Sequence, residues 1–265
     1  MALTRLARNV WLDEYFTYRP GEHVALIEPT QGGKTRLMYQ MLHRAMQQNP
    51  HLSTRVTIPK RRDRESGLWN NALGLKETPS WPPAKKKMWE PEPPGYALWP
   101  RHLVSGPDDD PEKTLLADRA HVRHELMACA KDSYEDGDAI HVADDIHNQA
   151  TILEMNMFFE EMLTMGGAMG CGLWGANQKP SGSNVGGGIT SFFYNSPTHL
   201  VIGKDSDERN RKRFGEIGGV DPKYVAAVVQ NLQVHHIDGH NISDKLYISK
   251  AGSSEYGPAM CIVGP

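Results

Sequence analysis

One segment near the N-terminus constrains the fold more than any other: an apolar strand candidate, a glycine-rich turn and a helix follow each other directly. The predicted strand covers His23–Ile27, and the predicted helix runs from about Lys34 to Gln47 with apolar residues at helical spacing. The turn between them, EPTQGGKT, nearly fits the GxxxxGK(S/T) pattern of the Walker A phosphate loop. This order predicts an α/β fold.

The turn has the residue types that binding a nucleotide triphosphate requires. Glycines let backbone N–H groups point at phosphate oxygens, and the N-terminus of the following helix adds partial positive charge. Lys34 is expected to reach the β- and γ-phosphates of ATP, and Thr35 to offer its hydroxyl to Mg²⁺. The expected nucleotide-binding residues are Gln31, Gly32, Gly33, Lys34 and Thr35. The alternative is an ordinary glycine-rich turn that contains Lys-Thr by chance.

Glu28 stands where the pattern has its first glycine. A carboxylate that pointed inward would repel a triphosphate, so we expect this side chain to point away or to contact another group. On that basis, Glu28→Gly is expected to leave nucleotide binding intact or tighter.

A second acidic motif follows the apolar strand candidate Ala139–Ala143. Asp144 is the expected Mg²⁺ carboxylate, and Asp145 takes the position where many ATPases have a glutamate that orients the attacking water. The alternative is a helix cap or turn, since Asp is common at strand ends. The other run of acids, Asp108–Asp110, is expected to be a solvated turn.

Strand and helix candidates alternate along the rest of the chain, which predicts a doubly wound, mostly parallel sheet flanked by helices. The remaining strand candidates are Ser53–Ile58, Cys171–Ala176 and Thr198–Ile202, with short strands over 232–263. The remaining helix candidates are Pro111–Tyr134, Thr151–Met165 and Ser206–Ile217. Residues 1–20 are expected to be a short lead-in. We expect one domain over residues 1–265.

The segment 77–111 differs in composition, because it holds half of the chain's 18 prolines and several aromatic residues. We expect it to be a long Pro/Trp-rich surface insertion.

Composition excludes several classes of protein. The 265 residues carry a formal net charge of −3, and three cysteines without close spacing exclude a disulfide scaffold or a cysteine-based zinc site. The spacing of His121 with His124, and of His235 and His236 with His240, does not predict a metal site beyond the Mg²⁺. No apolar run approaches the roughly 20 residues of a membrane span, so a cytoplasmic location is expected.

Three stretches resemble the FtsK–HerA group of DNA-pumping ATPases. Leu173–Ser181, read as LWGANQKPS, is similar to the group's TQRPS sensor segment, and Asn195–Gly203 to its NIPTRIAF strand. Asp207–Arg209 and Gly218–Gly219 resemble its DSR…GG stretch. With the two earlier motifs, the resemblance covers about residues 22–220.

The resemblance implies a RecA-like (ASCE) P-loop core that forms a ring of identical subunits, expected to be a hexamer, and moves double-stranded DNA through its pore. It implies that Gln178 is the sensor of the γ-phosphate, on a strand between the two Walker strands. A neighbouring subunit would supply an arginine, for which the candidates are Arg209, Arg211 and Arg213. The alternative for these arginines is a solvated helix face.

The chain departs from the group at Glu28, at Asp145, and at Gly203, where the group often has an arginine. It is similar in size to the genome-packaging ATPases of membrane-containing viruses, and we expect it to lack the membrane anchor and winged-helix domain of the cell-division translocases. We therefore expect a viral, plasmid or integrated-element origin, with a host-cytoplasmic or virion-associated location.

Two basic clusters are candidates for contact with DNA: Lys60, Arg61 and Arg62 with Arg64, and Lys85–Lys87 in the insertion. The insertion can instead dock on a capsid or membrane protein, and either cluster can be a solvated loop. For the whole chain, the alternatives to a DNA motor are a P-loop phosphotransferase acting on a small molecule and a nucleotide-dependent assembly or secretion component with weak turnover.

Overall fold

In a computed structural model of the chain, the backbone of the described residues forms a ten-stranded sheet and a separate two-stranded hairpin. The described residues are 3–29, 33–85, 87–178, 192–214, 217, 219–237, 239–254 and 257–265. The strands are β1 (Arg5–Ala7), β2 (Val24–Ile27), β3 (Ser53–Thr57), β4 (Lys76–Thr78), β5 (Gly95–Leu98), β6 (Ala139–Ala143), β7 (Gly172–Asn177), β8 (His199–Gly203), β9 (Val234–Ile237), β10 (His240–Ser243), β11 (Lys245–Ser254) and β12 (Gly257–Gly264).

Seven neighbouring strands of the sheet run parallel, in the order β8-β2-β7-β6-β3-β5-β4. At the β8 end, β11 and β12 add an antiparallel pair, and β1 lies parallel to β12. Residues 1–20, expected to be a lead-in, thus contribute a strand at the sheet edge. The hairpin of β9 and β10 stands apart from the sheet.

Helices cover both faces of the sheet. They are α1 (Arg8–Val10), α2 (Lys34–Gln48), α3 (Arg64–Ala72), α4 (Pro111–Asp136), α5 (Asn156–Met165), α6 (Phe192–Asn195), α7 (Glu208–Arg213) and α8 (Pro222–Asn231), with π-helical turns at Trp11–Tyr15 and Asn148–Ile152 and a 3₁₀ turn at Gly166–Met169. Val24 and Leu26 of β2 pack in one hydrophobic cluster with α2. Ala25 and Ile27 pack in a second with α4, α5 and α8. This alternation confirms the predicted doubly wound α/β architecture.

The predicted helix Thr151–Met165 is wrong over its first third. A π-helical turn ends at Ile152, and α5 begins only at Asn156. Glu154 lies between them with φ of 54°, a left-handed conformation that a continuous helix excludes. Leu153 and Met155 are nevertheless buried, so the apolar spacing continues through the turn. The helix predicted over Ser206–Ile217 is also shorter, and spans Glu208–Arg213.

The Pro/Trp-rich segment contains a sheet strand that the sequence did not predict. In β5, four residues without proline pair with β3 on one side and β4 on the other. Trp81 and Trp99 anchor the segment, because their indole N–H groups donate to the Asp132 carboxylate and to the Lys60 carbonyl, each at 2.5 Å. Trp89 is 78% exposed.

The helices that were not predicted include α3 and α8. Each begins at an aspartate that caps it: Asp63 accepts from Glu65 N and Ser66 N, and Asp221 from Lys223 N. Asp110, expected in a solvated turn, caps α4 in the same way. In the part of the chain that the structure describes, no helix has both the length and the apolar composition that crossing a bilayer requires.

Candidate nucleotide-binding site

Six of the predicted site residues line one cleft where three neighbouring parallel strands end: Gly33, Lys34, Thr35, Asp144, Asp145 and Gln178. Strand β7 lies between β2 and β6, as the resemblance implied, and its register pairs Asn177 with Ile27 and Gly175 with Ala143. The segments after these strands therefore lie at the same edge of the sheet. They enclose a cleft of about 300 Å³, lined by Gly33, Lys34, Thr35, Lys60, Glu65, Asp144, Asp145, Ala176 and Gln178.

Gly33 and Lys34 form the turn into α2. Gly33 has φ of 85°, a left-handed conformation that glycine adopts without strain, and it caps α2 without a side-chain hydrogen bond. The first N–H groups of an α-helix have no partner within the helix, so those of α2 are candidates for binding an anion. Lys34 Nζ donates to the carbonyls of Glu28 at 2.5 Å and Pro29 at 3.0 Å. Burial lowers the pKa of Lys34, and the charge of Glu28 acts against this shift.

Residues Thr30, Gln31 and Gly32 lie outside the described part of the chain, so the predicted contacts of Gln31 and Gly32 stay predictions. Thr35, the expected hydroxyl ligand of Mg²⁺, follows Lys34 on the first turn of α2 and lines the cleft.

Asp144 is buried at the cleft wall, directly after β6. Its Oδ2 accepts a hydrogen bond from Ser66 Oγ at 2.8 Å and lies 3.5 Å from Lys60 Nζ. Burial raises the pKa of Asp144, and Lys60 and Ser66 oppose this shift because they favour the carboxylate. Asp145 lines the same cleft with φ of 57°, and its Oδ1 accepts from Asn148 N at 3.3 Å.

Gln178 lines the cleft directly after β7. Its backbone N–H donates to Asn177 Oδ1 at 2.7 Å, and this hydrogen bond fixes the direction in which the chain leaves β7. The Gln178 side chain is exposed. The next residues of the sensor segment, Lys179 to Ser181, lie outside the described part of the chain.

Glu28 points away from the cleft. Its Oε1 lies 2.6 Å from Lys245 Nζ and accepts from Ser243 Oγ at 2.7 Å. The expectation that this acid contacts another group is therefore met. Gly203, on the neighbouring strand β8, packs directly against the same carboxyl group, and a Cβ at residue 203 would overlap it.

Lys60, Glu65 and Ser66 were missed as site residues. Lys60 was considered only as a DNA contact, but its ammonium faces Asp144 and lies 2.7 Å from Asp63 Oδ2. Although burial alone would lower the pKa of Lys60, the carboxylates of Asp144 and Asp63 raise it. The signal that identifies them is the parallel pairing of β3 with β6, which brings the segment after β3 to the same edge of the sheet.

The candidate arginines do not line this cleft. Arg209, Arg211 and Arg213 lie on α7, after β8, and Arg211 Nη1 donates to the Asp205 carbonyl at 3.0 Å. A contact between one of these arginines and a nucleotide would therefore have to be made in the cleft of a neighbouring subunit, as the resemblance implied. Of the second basic cluster, Lys87 Nζ lies 5.6 Å from the centre of the exposed Trp89 ring, and Lys86 is outside the described residues.

Solved structures of one viral protein share this fold. The genome packaging NTPase B204 from Sulfolobus turreted icosahedral virus 2 in complex with AMP superposes with a TM-score of 0.56 at 12% identity, covering 94% of this chain and 99% of that chain. Its complex with ATP-gammaS gives 0.54 at 12% identity, with 94% and 99% covered. The AMPPCP complex gives 0.55 at 10% identity, with 94% and 100% covered.

No protein-family profile matches the sequence, and no curated protein matches it. At the identities of the structural matches, the likeness establishes the fold. The RecA-like P-loop core expected from the resemblance to the FtsK–HerA group is thereby confirmed at the level of the fold.

Proposed function

We propose that this chain is an ATPase that uses ATP hydrolysis to move or package double-stranded DNA as a ring of identical subunits. The observation that carries the proposal is the convergence of Lys34, Asp144, Asp145 and Gln178 on one cleft at the ends of three adjacent parallel strands. The fold shared with a genome packaging NTPase supports the choice of DNA as substrate.

In the proposed mechanism, backbone N–H groups of the loop and of the first turn of α2 bind the phosphates, with Gln31, Gly32 and Gly33 in the loop. Lys34 exchanges its two carbonyl acceptors for β- and γ-phosphate oxygens. The charged phosphate oxygens stabilise the Lys34 ammonium group more than the two neutral carbonyls do.

The residues at the cleft fit Mg²⁺, because a threonine hydroxyl and a buried carboxylate are the oxygen ligands that this ion prefers. Thr35 and Asp144 would hold it, and Lys60 would then keep its second carboxylate, Asp63. Bound Mg²⁺ would neutralise charge on the phosphate oxygens.

Asp145 is proposed to orient the water that attacks the γ-phosphate and to accept its proton, with ADP and phosphate as products. Gln178, which lines the same cleft, would contact the γ-phosphate and report its loss to the chain after β7. An arginine of α7, from Arg209, Arg211 or Arg213, would complete the site of the neighbouring subunit and so couple hydrolysis to assembly.

The test is the steady-state rate of ATP hydrolysis with and without linear duplex DNA, together with the mass of the protein in solution with ATP. Duplex DNA is expected to raise the rate of an oligomeric protein. Lys34→Ala is expected to lower it by about 100-fold or more, whereas Lys131→Ala, at an exposed position of α4, leaves it unchanged. The proposal is contradicted if a folded protein stays monomeric with ATP and duplex DNA does not change its rate of ATP hydrolysis.

A further inference from the structure

A groove of about 720 Å³ lies at the same edge of the sheet as the nucleotide cleft. Its walls follow the ends of three neighbouring parallel strands: Arg61 and Arg62 come after β3, Thr78 closes β4, and residues 99–102 come after β5. We call it the arginine groove, and its basic residues are Arg61, Arg62, Arg101 and His102. Proline residues at 79 and 100 stiffen two of the segments.

One arginine of the groove is fixed, and two are available. Asp118, buried on α4, accepts from Arg61 at 3.1 Å and is 2.9 Å from His102 Nδ1. Arg62 and Arg101 are exposed, and within the described residues neither side chain has a hydrogen bond or an ion pair. Glu77 also lines the groove, so the positive charge is local and depends on these two guanidinium groups.

We propose that the arginine groove binds backbone phosphates of duplex DNA without regard to base sequence. Guanidinium groups bind phosphates with paired hydrogen bonds, and a few such cations per subunit, repeated around a ring, suffice for duplex binding. The inference rests on the proposed function, since it assigns the DNA partner to a surface.

The groove and the nucleotide cleft share one segment of chain. Trp99, which lines the groove, donates its indole N–H to the carbonyl of Lys60 at 2.5 Å, and Lys60 Nζ lies 3.5 Å from Asp144 Oδ2. Arg61 is the next residue. Arg62 follows it, so a phosphate that Arg62 binds acts on the segment that contacts the proposed metal carboxylate, which gives DNA a short route to the ATPase site.

The experiment measures the affinity of the full chain for a fluorescently labelled duplex by anisotropy at several KCl concentrations. The test variant is Arg62→Glu/Arg101→Glu. The matched control is Lys131→Glu/Lys223→Glu, which makes the same change in net charge at exposed positions of α4 and α8 outside the groove. Circular dichroism checks the fold of each. A neutral pair, Arg62→Gln/Arg101→Gln, serves if charge reversal prevents folding.

We expect the groove variant to bind about tenfold or more weakly than the native chain. In a plot of log affinity against log salt concentration, the magnitude of the slope should fall by about 2, one for each phosphate that the two arginines no longer bind. The neutral pair should show a smaller loss of affinity in the same direction, and the control pair should remain within about threefold of the native chain.

Three outcomes would overturn the inference. If the groove variant binds DNA like the native chain while DNA still stimulates ATP hydrolysis, the inference fails and the proposed function stands. If groove and control variants lose affinity equally, only net charge is being measured, and the groove is not the site. If the native chain binds no duplex at low salt, the inference fails together with the DNA part of the proposed function.

Discussion

Lys245 Nζ lies 2.6 Å from Glu28 Oε1, and both side chains are at most 4% exposed. This ion pair joins the loop after β2 to the start of β11, at opposite ends of the chain. Burial raises the pKa of Glu28, and Lys245 acts against this shift by stabilising the carboxylate. The Glu28 carbonyl also accepts from Lys34, so the pair fixes the residue that leads into the phosphate loop, and Lys245 compensates the charge of the Glu28 carboxylate.

Removing one member of this pair should destabilise the fold strongly. Lys245→Met leaves a buried carboxylate without its cation, and we expect a loss of about 3–5 kcal/mol in the free energy of unfolding measured in urea. Glu28→Gly leaves Lys245 buried instead, so the substitution is expected to cost stability even where nucleotide binding is kept. The double variant Glu28→Gln/Lys245→Met should recover most of the loss. A Lys245→Met protein as stable as the native chain would show that the pair is unimportant.

Gly203 should tolerate no side chain. In Gly203→Ala the new methyl group overlaps the Glu28 carboxyl group, which is fixed by Lys245 and Ser243. We expect a loss of about 1–3 kcal/mol in the free energy of unfolding, measured as above. Gly264→Ala, also on a strand, where the nearest atoms lie 3.6 Å or more from the new Cβ, measures the effect of adding a methyl group without this overlap. Equal losses in the two variants would contradict the steric explanation.

Stability should fall in weakly acidic solution because of a buried histidine. Burial lowers the pKa of His23 to about 4, and its Nδ1 accepts from Leu173 N at 2.9 Å, a role that only the neutral ring can take. Between pH 6.5 and about 4 the unfolded chain therefore binds a proton that the folded chain does not. The contribution of His23 is complete above pH 6.5 and is lost at about 1.4 kcal/mol per pH unit as the pH falls toward 4.

The variant His23→Asn keeps an acceptor for Leu173 N and removes the titration. Its free energy of unfolding, followed by urea denaturation at several pH values, should depend on pH less steeply than that of the native chain, by about one proton. Identical slopes would mean that His23 does not titrate in this range.

Asp144 should be required for the effect of Mg²⁺ on nucleotide affinity. In calorimetric titrations with a non-hydrolysable ATP analogue, Asp144→Asn is expected to bind in EDTA within about threefold of the native chain, because Lys34 and the loop are unchanged. Addition of Mg²⁺ should tighten binding to the native chain and to Asp109→Asn, an exposed control. If Mg²⁺ tightens nucleotide binding to Asp144→Asn by the same factor, Asp144 does not hold the metal.

The sequence was sufficient to predict which strands end at the candidate site. Lys34, Asp144 and Gln178 each follow an apolar run, and parallel pairing brings the ends of β2, β6 and β7 to one edge of the sheet. Local patterns also predicted α2 and β6 to within a residue or so. These are features that depend on neighbours in the sequence.

Contacts between distant segments were not predictable in the same way. Glu28 and Lys245 are 217 residues apart, and nothing near Glu28 indicates its partner. Lys60 reads as one member of a basic cluster until β3 is placed beside β6, where it faces Asp144. The strand β5 was hidden by the prolines around it, although none lies within it.

The most direct test of a DNA motor is the displacement of a third strand from a duplex. A labelled triplex-forming oligonucleotide on linear DNA is released when a motor passes along the duplex, and release is read by gel or by fluorescence. The native chain with ATP and Mg²⁺ is expected to release the strand, and Lys34→Ala, which still has the arginine groove, is expected not to. If the native chain hydrolyses ATP and binds duplex DNA but releases no more strand than Lys34→Ala, the account of this protein as a DNA translocase is contradicted.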